Sequence, residues 1–254
     1  MSASIIDPVE LTQSLISCPS VTPTDAGVLQ VLQDRLEKIG FRCTRMPFTE
    51  TGTDSVDNLF ATYGEGSPHL CFGGHTDVVP VGNSASWTND PFDAVIKDGN
   101  LYGRGTADMK SAIAAFTAAA NNFINAGDFK GTLSLLITND EEGPAINGTQ
   151  KVLEALTKNG EKIDSCIVGE PTCPTQLGDM IKIGRRGSLT TNISITGIAG
   201  PGGASKNKPV GLVYIGIKKG KTLLIKENRF KSKKRNLIQT LTVKEVIKTM
   251  LKLI

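Results

Sequence analysis

Histidine is scarce in this chain: among 254 residues only His69 and His75 carry an imidazole, so no histidine ligand can come from anywhere beyond residue 75. The five cysteines, Cys18, Cys43, Cys71, Cys166 and Cys173, are odd in number and never form a CxxC pair. That argues against a disulfide framework and a cysteine zinc site, and the expectation is buried or idle thiols in a reducing cytoplasm. No apolar run approaches the roughly 20 residues of a membrane-spanning helix. The first ten residues hold Asp7 and Glu10 but no basic cluster, so they do not read as a secretory or transit segment.

What is present is an ordinary core composition with an uneven charge distribution. Hydrophobic residues make up 39% and charged residues 21%, which predicts a packed soluble core. The formal net charge of +3 conceals an asymmetry. From Lys218 onward there are 12 Lys and Arg against Glu227 and Glu245, while residues 1–217 are net acidic. Such a break suggests two pieces of different origin or a basic appendage. The cluster Lys231–Arg235 has little aromatic interleaving, so it reads as a solvated helix start and not as a nucleic-acid surface.

Asp7-Pro8 is a helix start, with a capping carboxylate and a proline in the first turn. A second helix is predicted over 26–39, closed by Gly40. Strands are predicted over 41–46, 58–63, 69–72, 132–138 and 163–168, a hairpin over 94–102, and helices over 110–126 and 148–158. Alternating strands and helices predict an α/β domain with a mostly parallel central sheet. Leu237, Leu241, Val246, Ile247, Met250 and Leu251 would form the apolar face of a final helix.

In an α/β sheet, ligands bind beyond the carboxyl ends of the strands. Three polar clusters fall there: Gly73-Gly74-His75-Thr76-Asp77, Asn139-Asp140-Glu141-Glu142-Gly143 and Gly169-Glu170-Pro171-Thr172. Taken singly, each has a bland explanation. His75 could cap a turn, Asp108 could be an ordinary helix N-cap, and Glu170 could be a surface residue. Glu141-Glu142 is more telling, because adjacent carboxylates repel unless a cation or proton intervenes. One could ligate a metal while the other acts as general base.

The combination is more specific than its parts. Gly-Gly-His75-Thr-Asp77-Val-Val-Pro-Val-Gly, Tyr-Gly-Arg-Gly-Thr-Ala-Asp108-Met-Lys, Thr-Asn-Asp-Glu141-Glu142-Gly-Pro and Val-Gly-Glu170-Pro-Thr occur in this order. Over about residues 5–195 the chain resembles the succinyl-diaminopimelate desuccinylases, within the co-catalytic zinc peptidases and acylases. The resemblance implies hydrolysis of N-succinyl-LL-2,6-diaminopimelate to succinate and LL-2,6-diaminopimelate, a small-molecule substrate of lysine and cell-wall precursor synthesis, in the cytoplasm. It implies two zinc ions, with cobalt as an alternative. His75, Asp108 and Glu170 would hold the first, while Asp108, as bridge, and Glu142 would hold the second. It further implies that Asp77 orients His75 and that Glu141 activates the attacking water. Arg185 and Ser188, in Gly184-Arg185-Arg186-Gly187-Ser188, would contact substrate, the guanidinium gripping a carboxylate.

After Arg186 the family pattern continues into a lid and dimerisation domain, which would make a homodimer, and then returns with a histidine for the second zinc. Here the chain reads Ile198-Ala199-Gly200-Pro201-Gly202-Gly203-Ala204 instead. Together with Lys208-Pro209-Val210-Gly211-Leu212-Val213-Tyr214-Ile215-Gly216-Ile217, this resembles the end of the competence-damage-inducible, nicotinamide-nucleotide amidase family. The expected organisation is therefore an incomplete zinc amidohydrolase catalytic domain over 1–192 and a basic tail over 193–254. The competing expectation is a truncated fusion that binds at most one zinc without turnover, or a non-catalytic interaction protein.

Overall fold

The computed structural model describes residues 5–127, 129–184, 192–199, 205–219, 222–232 and 234–250. The chain divides into two compact units, 1–181 and 182–254.

In the first unit, helix α1 (Pro8–Ile16) begins as its sequence dictates: the Asp7 carboxylate accepts from the Val9 and Glu10 amides. Helix α2 (Val28–Lys38) buries Val28, Leu29, Leu32 and Leu36, an i, i+1, i+4, i+8 stripe along one face. Strands β1 (Arg42–Arg45), β2 (Asn58–Glu65) and β3 (His69–His75) follow, then the hairpin of β4 (Val95–Lys97) and β5 (Asn100–Tyr102). Asp98 and Gly99 both have positive φ there, the geometry of a tight two-residue hairpin turn. Helix α3 (Ser111–Asn125), strand β6 (Gly131–Thr138), helix α4 (Thr149–Lys158) and strand β7 (Ser165–Val168) complete the unit.

The sheet order is β1-β2-β6-β3-β7. The α/β expectation holds, but the sheet is mixed. β6 runs parallel to β3, and β3 runs parallel to β7, whereas β1-β2 and β2-β6 are antiparallel. The reason is local: β2 and β3 are joined by only three residues, which forces them to run in opposite directions. β6 then inserts between them, pairing with both. All eight residues of β6 are buried, as expected of a strand paired on both edges. The main core joins Leu11, Leu15, Leu29, Leu32, Leu59, Phe72, Ile113 and Leu135 among others. A smaller cluster on the α4 side holds Phe60, Cys71, Leu136, Val152 and Leu156.

The second unit, taken by itself, is an antiparallel sheet of order β10-β9-β8, from β8 (Asn192–Gly197), β9 (Leu212–Lys219) and β10 (Thr222–Arg229), with helix α5 (Arg235–Met250). Val213, Ile215 and Ile217 pack with Ile238 and Val246. The α5 face predicted from sequence is rotated. Leu237 and Ile247 are exposed, while Ile238, Thr242, Val246 and Thr249 are buried. Threonines can serve inside because their hydroxyls are satisfied within the helix: Thr242 donates to the Ile238 carbonyl and Thr249 to that of Glu245. Leu251 lies outside the described residues.

Among the described residues no helix is long and apolar enough to cross a membrane.

Candidate metal centre

β3 ends at His75 and β6 at Thr138, and the two strands are parallel neighbours with His75 opposite Thr138. β7, on the other side of β3, ends two residues before Glu170. Three carboxyl strand ends therefore deliver the three polar clusters to one place. Asp108 arrives from the segment just before α3.

Two glycines let the backbone come close enough. Gly105 has φ +82°, and a side chain there would lie 2.7 Å from the Val78 side chain. At Gly169, a Cβ would lie 2.6 Å from Ala112 and 2.9 Å from the Phe72 ring, so only glycine seats Glu170 against α3.

His75 is 1% exposed. Its Nε2 lies 3.0 Å from Asp108 Oδ1, 3.6 Å from Glu170 Oε1 and 3.9 Å from Glu141 Oε2. The ligand atoms of His75, Asp108 and Glu170 lie within 4.8 Å of one another, as do those of His75, Glu141 and Glu142. Glu170 is largely buried, whereas the Asp108 and Glu141 side chains are about half exposed, so the cluster opens to solvent on their side.

Burial alone would pull the His75 imidazole below its ordinary pKa. The hydrogen bonds and charge of Asp77, with Glu141 farther out, outweigh it and raise the group to about 9. Burial raises Glu142, and the neighbouring Asp108 charge raises it further; Glu170 rises for the same two reasons. Carboxylates held this close to one another and to a buried imidazole edge repel, and a cation relieves that repulsion. Nitrogen and oxygen donors at this separation suit a divalent transition metal. His75 Nδ1 is engaged by the Asp77 backbone carbonyl at 2.9 Å, which leaves Nε2 free to ligate.

Asp77 itself is fully buried, and its carboxylate has a further engagement. Oδ1 lies 3.5 Å from His75 Nδ1, but the two oxygens accept from the amide N–H groups of Glu141 (3.2 and 3.1 Å) and Glu142 (2.9 Å). Asp77 thus ties the β3 loop to the β6 loop. Asp140 shapes the latter from the other side, accepting from the Ala145, Ile146 and Asn147 amides. Lys110, fully buried, donates to the carbonyls of Leu15 and Cys18 and so joins the Asp108 segment to the end of α1. Neither Asp140 nor Lys110 was assigned a role from sequence. The one available signal for Lys110 is a lone cation heading the alanine-rich, uncharged α3.

The second histidine stands apart. His69 Nε2 is 2.7 Å from Ser134 Oγ and its Nδ1 is 3.0 Å from the Lys162 carbonyl, so both ring nitrogens are engaged at the opposite end of β3. Arg185 and Ser188 lie outside the described residues, as does the glycine-rich stretch 200–204.

Comparison with known proteins places these observations. A succinyl-diaminopimelate desuccinylase of Rhodospirillum centenum is 58% identical over 195 residues, which is 76% of this chain and 50% of that protein. The chain thus spans about half the length of the curated relatives it matches. The solved structure of the M20 family metallo-carboxypeptidase Sso-CP2 from Sulfolobus solfataricus has the same fold over 64% of this chain and 37% of its own, with a TM-score of 0.56 at 22% identity. A structure of competence/damage inducible protein CihA from Agrobacterium tumefaciens aligns with 25% of this chain and 39% of its own at 38% identity, but its TM-score of 0.24 is too low to define the tail's fold. The model of peptidase family M20/M25/M40 matches residues 71–249, and with the cluster of His75, Asp108, Glu141, Glu142 and Glu170 in one place the chain belongs to that family.

Proposed function

We propose that this chain is the metal-binding part of an amide hydrolase whose substrate is N-succinyl-LL-2,6-diaminopimelate. The observation that carries the reading is the convergence of His75, Glu141, Glu142 and Glu170, at the ends of three adjacent strands, with Asp108 from the segment before α3. The 58% identity to succinyl-diaminopimelate desuccinylases supports the choice of substrate.

In this reading His75, Asp108 and Glu170 hold a first ion, zinc or cobalt, and Asp108 and Glu142 contribute to a second. When bound, the metal supplies a Lewis acid for the amide carbonyl and lowers the pKa of water. Glu141, half exposed beside the cluster, takes the proton from the attacking water and returns it to the leaving amine. Asp77 keeps Glu141 and Glu142 in place through their amides. Arg185 and Ser188 serve the substrate's carboxylates, and the protein works in the cytoplasm. The catalytic part extends over 1–192, with 193–254 as a basic tail of separate descent.

One observation favours a second reading, a chain that binds a single zinc without turnover. Its other histidine is engaged by Ser134 and Lys162, so no second histidine joins Asp108 and Glu142 at the second ion. The two readings separate on metal content and succinate release by the purified chain, with Glu141→Ala as control. Succinate release that is abolished in Glu141→Ala supports the hydrolase. Bound zinc with no succinate released supports the second reading.

A further inference from the structure

Away from the metal centre, the α4 face of the sheet carries a row of polar and sulfur side chains. Cys71 in β3 is paired in register with Ser134 of β6 on one side and Cys166 of β7 on the other. Register partners in neighbouring strands present their side chains on the same face. Cys71 thus has Ser134 and Cys166 as its immediate neighbours in the row, while its thiol is aimed at the Phe72 carbonyl at 3.6 Å. Ser134 in turn meets His69 Nε2 at 2.7 Å. The row therefore runs His69, Ser134, Cys71, Cys166, from the buried interior to the edge strand. Cys71 is 1% exposed, whereas Cys166 is open to solvent. Neighbouring strands lie about 4.8 Å apart, inside the Cα separation a disulfide accepts.

We propose that Cys71 and Cys166 form a redox-active dithiol, with Cys166 the attacking thiol, Cys71 the resolving thiol and a hydroperoxide as oxidant. The Cys166 thiolate attacks one peroxide oxygen, and the O–O bond breaks. With hydrogen peroxide, the displaced oxygen leaves as water after taking up a proton, and Cys166 becomes a sulfenic acid. The Cys71 sulfur then attacks the Cys166 sulfur, the S–O bond breaks, and a second water leaves with the Cys71 proton. Two thiols lose two electrons, and one peroxide is reduced to two waters. The electrostatics suit this order. The neighbouring Cys71 thiol lowers Cys166 to about 7 in spite of its partial burial, while Cys71 is driven up by its Cys166 neighbour and by burial. Nothing in the step requires metal or turnover, so the proposal stands apart from the hydrolase reading.

The pair also has a mechanical meaning. His75 lies four residues beyond Cys71, and Glu170 four residues beyond Cys166. Oxidation would pin the short edge strand β7 to β3 at the base of the two segments that bring these ligands to 3.6 Å.

The test uses the full chain, stripped of metal and exposed to hydrogen peroxide, with non-reducing peptide mapping by mass spectrometry. The expected product is a Cys71–Cys166 cross-linked peptide, an intact mass lower by two hydrogens, and reversal by dithiothreitol. In Cys71→Ser, the same treatment should leave Cys166 over-oxidised to sulfinic acid, since its resolving thiol is gone. Before oxidation, Cys166 should alkylate about threefold faster at pH 7 than N-acetylcysteine, its larger thiolate fraction being partly offset by lower intrinsic nucleophilicity. A peroxide-treated chain whose cross-link joins another pair, or that contains no cross-link while Cys166 oxidises equally in parent and Cys71→Ser, overturns the proposal.

Discussion

Replacing Asp77 by Asn removes one charge from the centre of the site while keeping shape and volume. In the parent the carboxylate accepts from two backbone amides, those of Glu141 and Glu142. Hydrogen bonds to a charged acceptor contribute about 1.5–3 kcal/mol each and neutral ones about 1. The exchange therefore costs about 2 kcal/mol. The new NH2 group, placed where an oxygen stood within 3.2 Å of the Glu141 N–H, adds a donor–donor conflict. For a unit of this size each kcal/mol shifts the melting temperature by about 2–4 °C, so the metal-free Asp77→Asn protein should melt about 4–8 °C below the parent. Zinc affinity, read by competition with a chromophoric chelator, should fall about 10- to 100-fold, the usual effect of disturbing a group that orients ligands. A variant melting within 2 °C of the parent and binding zinc equally well would refute the view that Asp77 organises the Glu141-Glu142 loop.

Three further outcomes follow from the same geometry. In the metal-free chain His75 titrates near 9, so a proton competes with the metal on its ring; the logarithm of zinc affinity should climb with a slope of about one from pH 7 to 9 and then flatten, and a pH-independent affinity would contradict the raised value. Burial lowers Lys110 to about 8, below the ~10.4 of an unfolded lysine; between these values only the unfolded chain holds the proton, so stability rises with pH, by up to about 3 kcal/mol. Urea midpoints should show that rise between pH 8 and 10 in the parent and its loss in Lys110→Met. In the second unit Ile238→Ala should cost about 2–4 kcal/mol and Leu237→Ala less than about 0.5, as measured by hydrogen exchange in β9; equal costs would mean that α5 presents the other face.

Much of the first unit is legible in the residues, because its signals are local. Asp7-Pro8 starts α1, the spacing of Val28, Leu29, Leu32 and Leu36 marks α2, and Asp98-Gly99 turns the hairpin. The candidate metal cluster is legible for a different reason: each member sits in a short motif, at a strand end for His75, Glu141, Glu142 and Glu170 and before α3 for Asp108, where an α/β sheet gathers its ligands. Long-range features are not legible in this way. The insertion of β6 between β2 and β3, which makes the sheet mixed, depends on pairings between segments far apart in sequence. A separate crossover, from β6 past β3 to β7, brings Cys71 beside Cys166, which from spacing alone look like unrelated thiols. Asp77 reads as a partner for its neighbour His75, while its two amide partners lie 64 and 65 residues away. In α5, Thr242 and Thr249 count as polar by type, so the buried face is misplaced until their hydroxyls are seen to bond within the helix.

The insertion of β6 also sets an order of events as the chain leaves the ribosome. β2 and β3 are made early, yet neither can complete its hydrogen bonding until β6 has emerged, after the β4-β5 hairpin and α3 have been synthesised. During that interval two apolar strands wait with open edges, the condition under which nascent chains associate wrongly or recruit chaperones. Glu170 follows later still, so the ligand cluster is among the last features of the first unit to assemble. Slowing translation between β3 and β6 would lengthen the exposure, and hastening it would shorten the window in which the half-made sheet can aggregate.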